Sequence, residues 1–161
     1  MITTQHSTLI IHHGPAEVWS NSSTGHHSLH ASKDYKAGDL IVNFSAGSIQ
    51  KTASYLTVQT GIDQHITLQP DFLQFVNHSC KPNVFFDTTL MQFISLADIS
   101  AKEQFCFFYP STEWKMAQPF NCLCGAESCL KTIQGAAYLS IDLLLQYRLT
   151  DFIFQQLKLK Q

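Results

Sequence analysis

Short apolar or β-branched runs, each closed by turn chemistry, fill the first two-thirds of the chain: 8–11, 40–44, 55–58, 66–68, 84–86, 91–96 and 105–109. Runs of this length bounded by Gly, Pro, Asp and Asn read as strands. Between most of them stand turns such as Lys36-Ala37-Gly38-Asp39, Gly61-Ile62-Asp63 and Pro70-Asp71, with no helical stretch. A doubly wound parallel sheet needs crossover helices, so a mostly β fold of short strands is expected instead. From Tyr138 the period changes. Leu139, Leu143 and Tyr147, and Leu145, Leu149 and Ile153, recur at i+4, predicting an amphipathic helix that ends near Lys158. Lys158 and Lys160 suit that end, where cations meet the negative pole of the helix dipole. Residues 110–119 read as a polar linker.

With 161 residues the chain is long enough for one core. Apolar residues make up 45% and charged residues only 14%, which excludes a disordered, highly charged chain. The net charge is -2 and Arg148 is the sole arginine. Binding nucleic acid by phosphate neutralisation calls for a basic surface, so no direct nucleic-acid partner is expected. The richest apolar stretch, 136–157, is broken by Asp142, Gln146, Arg148 and Asp151, which argues against a membrane span. The N-terminal Met-Ile-Thr-Thr-Gln-His has neither the basic nor the apolar part of a secretory leader. A cytoplasmic or otherwise intracellular, reducing compartment is the expectation, and nothing sets an oligomeric state.

Chemistry concentrates in two places. Asn77-His78-Ser79-Cys80-Lys81-Pro82-Asn83 is dense in donors, acceptors and ligands, although by itself it is equally an Asn/Ser/Pro turn with a satisfied histidine. His78 and Cys80 stand too close in sequence for the usual nucleophile and base pair. Further on, Cys122, Cys124 and Cys129 fall within a short loop that carries Gly125. In a reducing compartment such clustering points to metal before disulfides. Structural zinc takes four ligands, so one is missing locally. Cys80, Cys106 or a histidine must supply it; Cys106 sits in the apolar run 105–108, which favours Cys80.

In this order, the segments resemble the SET-domain protein lysine methyltransferases. Asp34-x-x-x-Gly38-Asp39 is similar to the family's early D-x-x-x-G-E turn. Phe75-Val76-Asn77-His78-Ser79-Cys80-x-Pro82-Asn83 is similar to F-x-N-H-S-C-x-P-N. Residues Asp98 to Tyr109 are similar to D-I-x-x-G-E-E-L-x-x-x-Y, and Cys122-x-Cys124-Gly125-x-x-x-Cys129 to the post-SET zinc motif. The resemblance covers about residues 16 to 135. It implies a SET-like (β-clip) fold of short curved sheets with a threaded pseudoknot, divided as 1–118 SET-like domain, 119–135 zinc segment and 136–161 C-terminal helix.

The resemblance also implies roles. Zn2+ is held by Cys80, Cys122, Cys124 and Cys129, and S-adenosyl-L-methionine by Asn77 and His78, with Gly25 nearby. Tyr138 closes over the cofactor, or simply packs the last helix. Tyr109 lines a channel for the target lysine of a protein or peptide and orients its amine. Phe107 lines the same channel and admits more than one methyl group, or is one more core aromatic. Where the family carries a G-x-G ahead of the D-x-x-x-G-E turn, this chain has His26 and Ser28. Lys102 and Lys131 stand at two further family glycines, Phe108 at an aspartate and Gln74 at an arginine. The His26 and Ser28 substitutions favour the rival expectation, a non-catalytic SET-like module that binds peptide around a structural zinc.

Overall fold

Thirteen short strands and two α-helices make up residues 7–160, which the computed structural model describes. Residues 1–6, read above for a leader, lie outside the described residues, as does residue 161. β1 (Ser7–His12), β2 (Ala16–Asn21) and β3 (His27–Ala31) form one antiparallel sheet in that order. β4 (Leu40–Asn43) leads into β5 (Ser45–Gln50), β6 (Thr57–Gly61) and β7 (Gln64–Gln69), the last three arranged β5-β7-β6. β8 (Asn77–His78) precedes β9 (Val84–Asp87) and β10 (Gln92–Ser95), and a third sheet runs β4-β10-β9. β11 (Cys106–Phe107) lies parallel to β8, and β12 (Phe120–Asn121) pairs with β13 (Thr132–Ile133). Register shifts that leave an extra residue in β1, β4, β5 and β6 act as bulges, which bend strands and keep the sheets small and curved.

Phenylalanine fills the centre. Phe86 meets Phe44 edge-on at 5.6 Å, Phe107 edge-on at 4.8 Å and Phe93 at 4.7 Å, and Phe93 meets Phe105 edge-on at 5.5 Å. Such pairs add about 0.5–1.5 kcal/mol each beyond the area they bury. Most of the expected runs are strands. The expectation missed β2, β3 and β5, whose Ser, His, Gln, Asn and Glu residues hide the pattern, and which are strands because neighbours pair with them.

Segment 102–107 is gripped from both sides. Phe105 N–H donates to Leu29 O at 2.8 Å and Ala31 N–H to Glu103 O at 2.9 Å, while β8 runs along the other edge. Asn83 closes that edge: its amide donates to Gln104 O at 2.9 Å and its Oδ1 accepts from Cys106 N–H at 2.9 Å. The motif turn at Asp34 docks beside it. Asp34 accepts from Ala101 N–H at 2.8 Å, and Asp98 accepts from Ala37 N–H at 3.0 Å and pairs with Lys36 at 2.9 Å.

The continuous helix expected from Tyr138 is interrupted. A 3-10 turn (Ala136–Tyr138), α1 (Ile141–Leu144) and α2 (Asp151–Lys160) replace it. Ser140 caps α1 by accepting from Leu143 N–H at 3.3 Å. The break after α1 belongs to Tyr147, whose ring stacks on Phe108 at 3.7 Å and whose hydroxyl donates to Cys80 O at 2.9 Å. Thr150 N–H donates to Ser111 O at 3.0 Å rather than back along a helix. Part of the expected stripe still faces inward, since Leu149 and Ile153 are buried with Leu144, Phe152 and Leu157 against Phe108 and Leu139 and Tyr147 pack beside them, but Leu145 is 57% exposed. No helix among the described residues is long and apolar enough to cross a membrane.

Candidate active site and metal centre

A cleft of about 360 Å3 opens between the β5-β7-β6 sheet and residues 107–120, with Asn77, Phe86, Phe107, Tyr109, Glu113 and Phe120 among its walls. The parallel pairing of β8 with β11 carries Asn77 and Phe107 to it, and the chain then turns through a short 3-10 segment (Tyr109–Ser111). Tyr109 lies against Phe107 at 4.6 Å and Phe120 at 5.9 Å, and its hydroxyl donates to Val76 O at 3.3 Å. Burial first, with the charges of Cys106 and Glu113 adding to it, pushes the phenol up to about 12. Tyr109 is therefore a neutral hydroxyl at the aromatic end of the cleft.

His78 stands behind Tyr109. Its Nδ1 accepts from Tyr109 N–H at 3.2 Å, and since a backbone N–H can only donate, the ring proton is on Nε2, 3.4 Å from Cys80 Sγ. Burial brings the imidazole down to about 4, so it is neutral. One ring thus links the cleft tyrosine to the cysteine cluster. Asn77 donates to His27 O at 3.2 Å, tying β8 to β3.

Cys80, Cys122, Cys124 and Cys129 come together with their sulfurs all within 4.8 Å of one another. In a zinc tetrathiolate with bonds of about 2.3 Å the sulfurs stand about 3.8 Å apart, so the set can hold a metal. Cys106 is not a member, and burial pushes its thiol up to about 11. Burial opposes ionisation at Cys124, but N–H groups of Cys80 and Ala126 and the Cys122 and Cys129 thiols outweigh it and bring Cys124 down to about 6. Leu130 N–H donates to Cys80 Sγ at 3.4 Å, as amides do to thiolate ligands.

Two expected residues stand elsewhere. Gly25 lies in the β2–β3 turn at φ +71 with open space where a Cβ would be, and Tyr138 is 58% exposed; neither is on the cleft wall. Lys102 and Lys131, at family glycine positions, both hold positive φ, 74° and 67°. Lys102 Nζ also donates to both carboxylate oxygens of buried Glu17, at 2.7 and 2.8 Å. The sequence reading missed Glu113 and Tyr147. The linker expected at 110–119 is in its first part core: Pro110, Ser111, Thr112 and Glu113 are buried. A Thr-Glu pair among polar residues carries no sign of burial; besides its neighbour Thr112, the partner that holds the buried Glu113 is Gln59, far away on β6, which donates N–H to Glu113 Oε1 at 2.9 Å.

The SET domain family model matches residues 26–110. "Methyltransferase flvH" of Aspergillus flavus is 37% identical over 127 residues, covering 78% of this chain and 71% of that protein. The chain belongs to the SET-domain family, as its motifs led one to expect. Among solved structures, the methyltransferase domain of human histone-lysine N-methyltransferase SETMAR is similar with a TM-score of 0.49 and 14% identity over 82% of this chain. The chain spans 59% of the length of that structure.

Proposed function

We propose that the chain transfers methyl groups from S-adenosylmethionine to the side-chain amine of a lysine in a protein or peptide, with zinc held by Cys80, Cys122, Cys124 and Cys129. The observation that carries this reading is the neutral Tyr109 hydroxyl at the end of a cleft walled by Phe86, Phe107 and Phe120. When bound, S-adenosylmethionine supplies a methyl carbon made electrophilic by its sulfonium. Asn77 and the His78 backbone would hold it, near the β2–β3 turn. The surroundings fit: Asn77 spends its amide N–H on His27 O and keeps Oδ1 as an acceptor, and open space adjoins Gly25.

This chain's own work is alignment. A lysine amine titrates near 10.4 in water, and an aromatic channel disfavours its charged form. Tyr109 orients the neutral nitrogen, which is what an in-line displacement chiefly needs. Phe107, having no hydroxyl, leaves the methylated nitrogen room to turn and react again. The zinc is structural in this reading, because four thiolates leave no open coordination position.

Calorimetric titration with S-adenosylmethionine, followed by mass spectrometry of lysine peptides incubated with it, tests the reading. One cofactor bound per chain and peptides carrying two or three methyl groups on a lysine are expected. Peptide binding without any cofactor binding would overturn it in favour of a non-catalytic peptide-binding module. His26 and Ser28 favour that second reading, because their side chains occupy positions where glycines let a backbone approach a ligand closely.

A further inference from the structure

Glu113 is buried to 7% exposure, yet its side chain is on the cleft wall. Oε1 takes both protein hydrogen bonds, from Gln59 N–H at 2.9 Å and from the Thr112 hydroxyl at 3.1 Å. Among the described residues nothing donates to Oε2. No Lys, Arg, His or Asp lines the cleft, so no cation of the chain faces this carboxylate there. Buried carboxylates are ordinarily paired, and an unpaired one costs stability.

We propose that Glu113 is a cation subsite of the cleft, whose free Oε2 receives the ammonium of an alkylamine side chain and so selects a charged amine over a neutral chain of the same shape. The inference rests on the lysine-methylating reading and names how the substrate is admitted. An alkylamine is an ammonium at neutral pH, and a carboxylate in an apolar cleft holds it more strongly than one in water does. Glu113 sits on the turn that carries Tyr109, its N–H donating to Tyr109 O at 3.0 Å, so one turn brings to the same cleft the carboxylate that admits the ammonium and the hydroxyl that later orients the free amine.

Burial leaves Glu113 titrating at about 7, which makes the capture sensitive to pH. The groups around it are few. Tyr109, at about 12, stays neutral, and the other phenol at the cleft wall is exposed Tyr55. His65, the register partner of Gln59 on β7, is held below the usual imidazole range by burial, and Lys115 lies outside the lining.

Binding of Nα-acetyl-lysine methylamide and of its uncharged norleucine counterpart to the full chain, followed by NMR, tests the subsite. The wild type should prefer the lysine probe by at least about tenfold at neutral to alkaline pH, and Glu113→Gln, which keeps the shape and the Oε1 acceptor, should lose that preference while still binding norleucine. In the wild type the lysine probe should weaken about tenfold or more between about pH 8.5 and about pH 5.5, with norleucine unchanged and so reporting any effect of His65. Equal preference in the two proteins, no preference in the wild type, or a flat pH profile overturns the proposal. If Glu113→Gln fails to fold, the wild-type pH profile decides alone. Cofactor calorimetry is independent of both probes: its failure with the lysine preference intact sinks the methyl-transfer reading and leaves the cation subsite standing.

Discussion

Tyr109 and Glu113 share one turn and one cleft, and burial acts on them in opposite functional senses. Burial lifts the Tyr109 phenol further above neutrality, so the intact hydroxyl, which donates to Val76 O, keeps its oxygen as an acceptor for an amine N–H. Tyr109→Phe is expected to fold, to bind S-adenosylmethionine within about twofold of the wild type, and to lose about a hundredfold in kcat, because the lost hydrogen bond matters only as the reaction geometry is reached. Unchanged turnover would place the orienting group elsewhere. For Glu113, burial lifts the carboxyl from 4.5 to about 7, so the folded chain holds this proton more tightly than the unfolded chain. The contribution is fully present below about pH 4.5 and is lost as pH rises through 7, at up to about 1.4 kcal/mol per unit and about 3 kcal/mol in all. Urea midpoints should therefore fall from pH 5.5 to pH 8 in the wild type, and Glu113→Gln should remove that part of the slope. A Glu113→Gln protein with the wild-type slope would assign the pH dependence to another group.

At the level of turns and strands, two lysines in glycine conformations behave differently for a physical reason. Each carries the cost of a left-handed backbone with a side chain, roughly 1–2 kcal/mol. Lys131 has no ion pair among the described residues to offset it. Lys102 does, since Glu17 is only 4% exposed and Lys102, itself 59% exposed, is its cation. That contact, first among its influences and ahead of the opposing burial, holds the Glu17 carboxyl below the usual range. Lys131→Gly is expected to be neutral or stabilising by up to about 1 kcal/mol, and Lys102→Gly destabilising by about 1–3 kcal/mol through the stranded carboxylate. Thermal or urea unfolding of the two variants side by side checks this, and equal effects would mean that the Glu17 pair contributes nothing. Tyr147 shows the same rule in a helix: its stack on Phe108 and its bond to Cys80 O outweigh the propensity of a sequence that could continue helical.

Across the whole molecule, the cysteine cluster and the cleft are mechanically one unit. Cys80 is tied to Tyr109 through the His78 ring and to the C-terminal segment through Tyr147. Metal removal should therefore disturb the cleft as well as the loop. Chelation is expected to lower Tm by at least about 10 °C and to abolish methyl transfer, since binding free energy of a structural metal is folding free energy. Cys129→Ser should lose the zinc and Cys106→Ser should keep one per chain, measured by metal analysis. Loss of zinc from Cys106→Ser would refute the ligand set.

The mostly β class and the cysteine triplet were legible in the sequence, because strand patterning, turn chemistry and ligand spacing are local properties of neighbouring residues, whereas Tyr109 was singled out only through the order of the family motifs, and the structure sets it on the cleft wall. Cys80 as the fourth member was favoured by the apolar setting of Cys106 and named outright by the resemblance, and the structure brings its sulfur to the other three. Glu113 was not legible. What makes it unusual is its burial in the wall of a cleft built by β6, β8 and β11 and a hydrogen bond from Gln59, neither of which has any trace in Ser111-Thr112-Glu113 itself. The break before α2 and the polar strands β2, β3 and β5 were likewise decided by partners distant in sequence. Local spacing selects the chemistry a segment can offer, whereas burial and pairing depend on what the rest of the chain packs against it, and only the tertiary structure holds that.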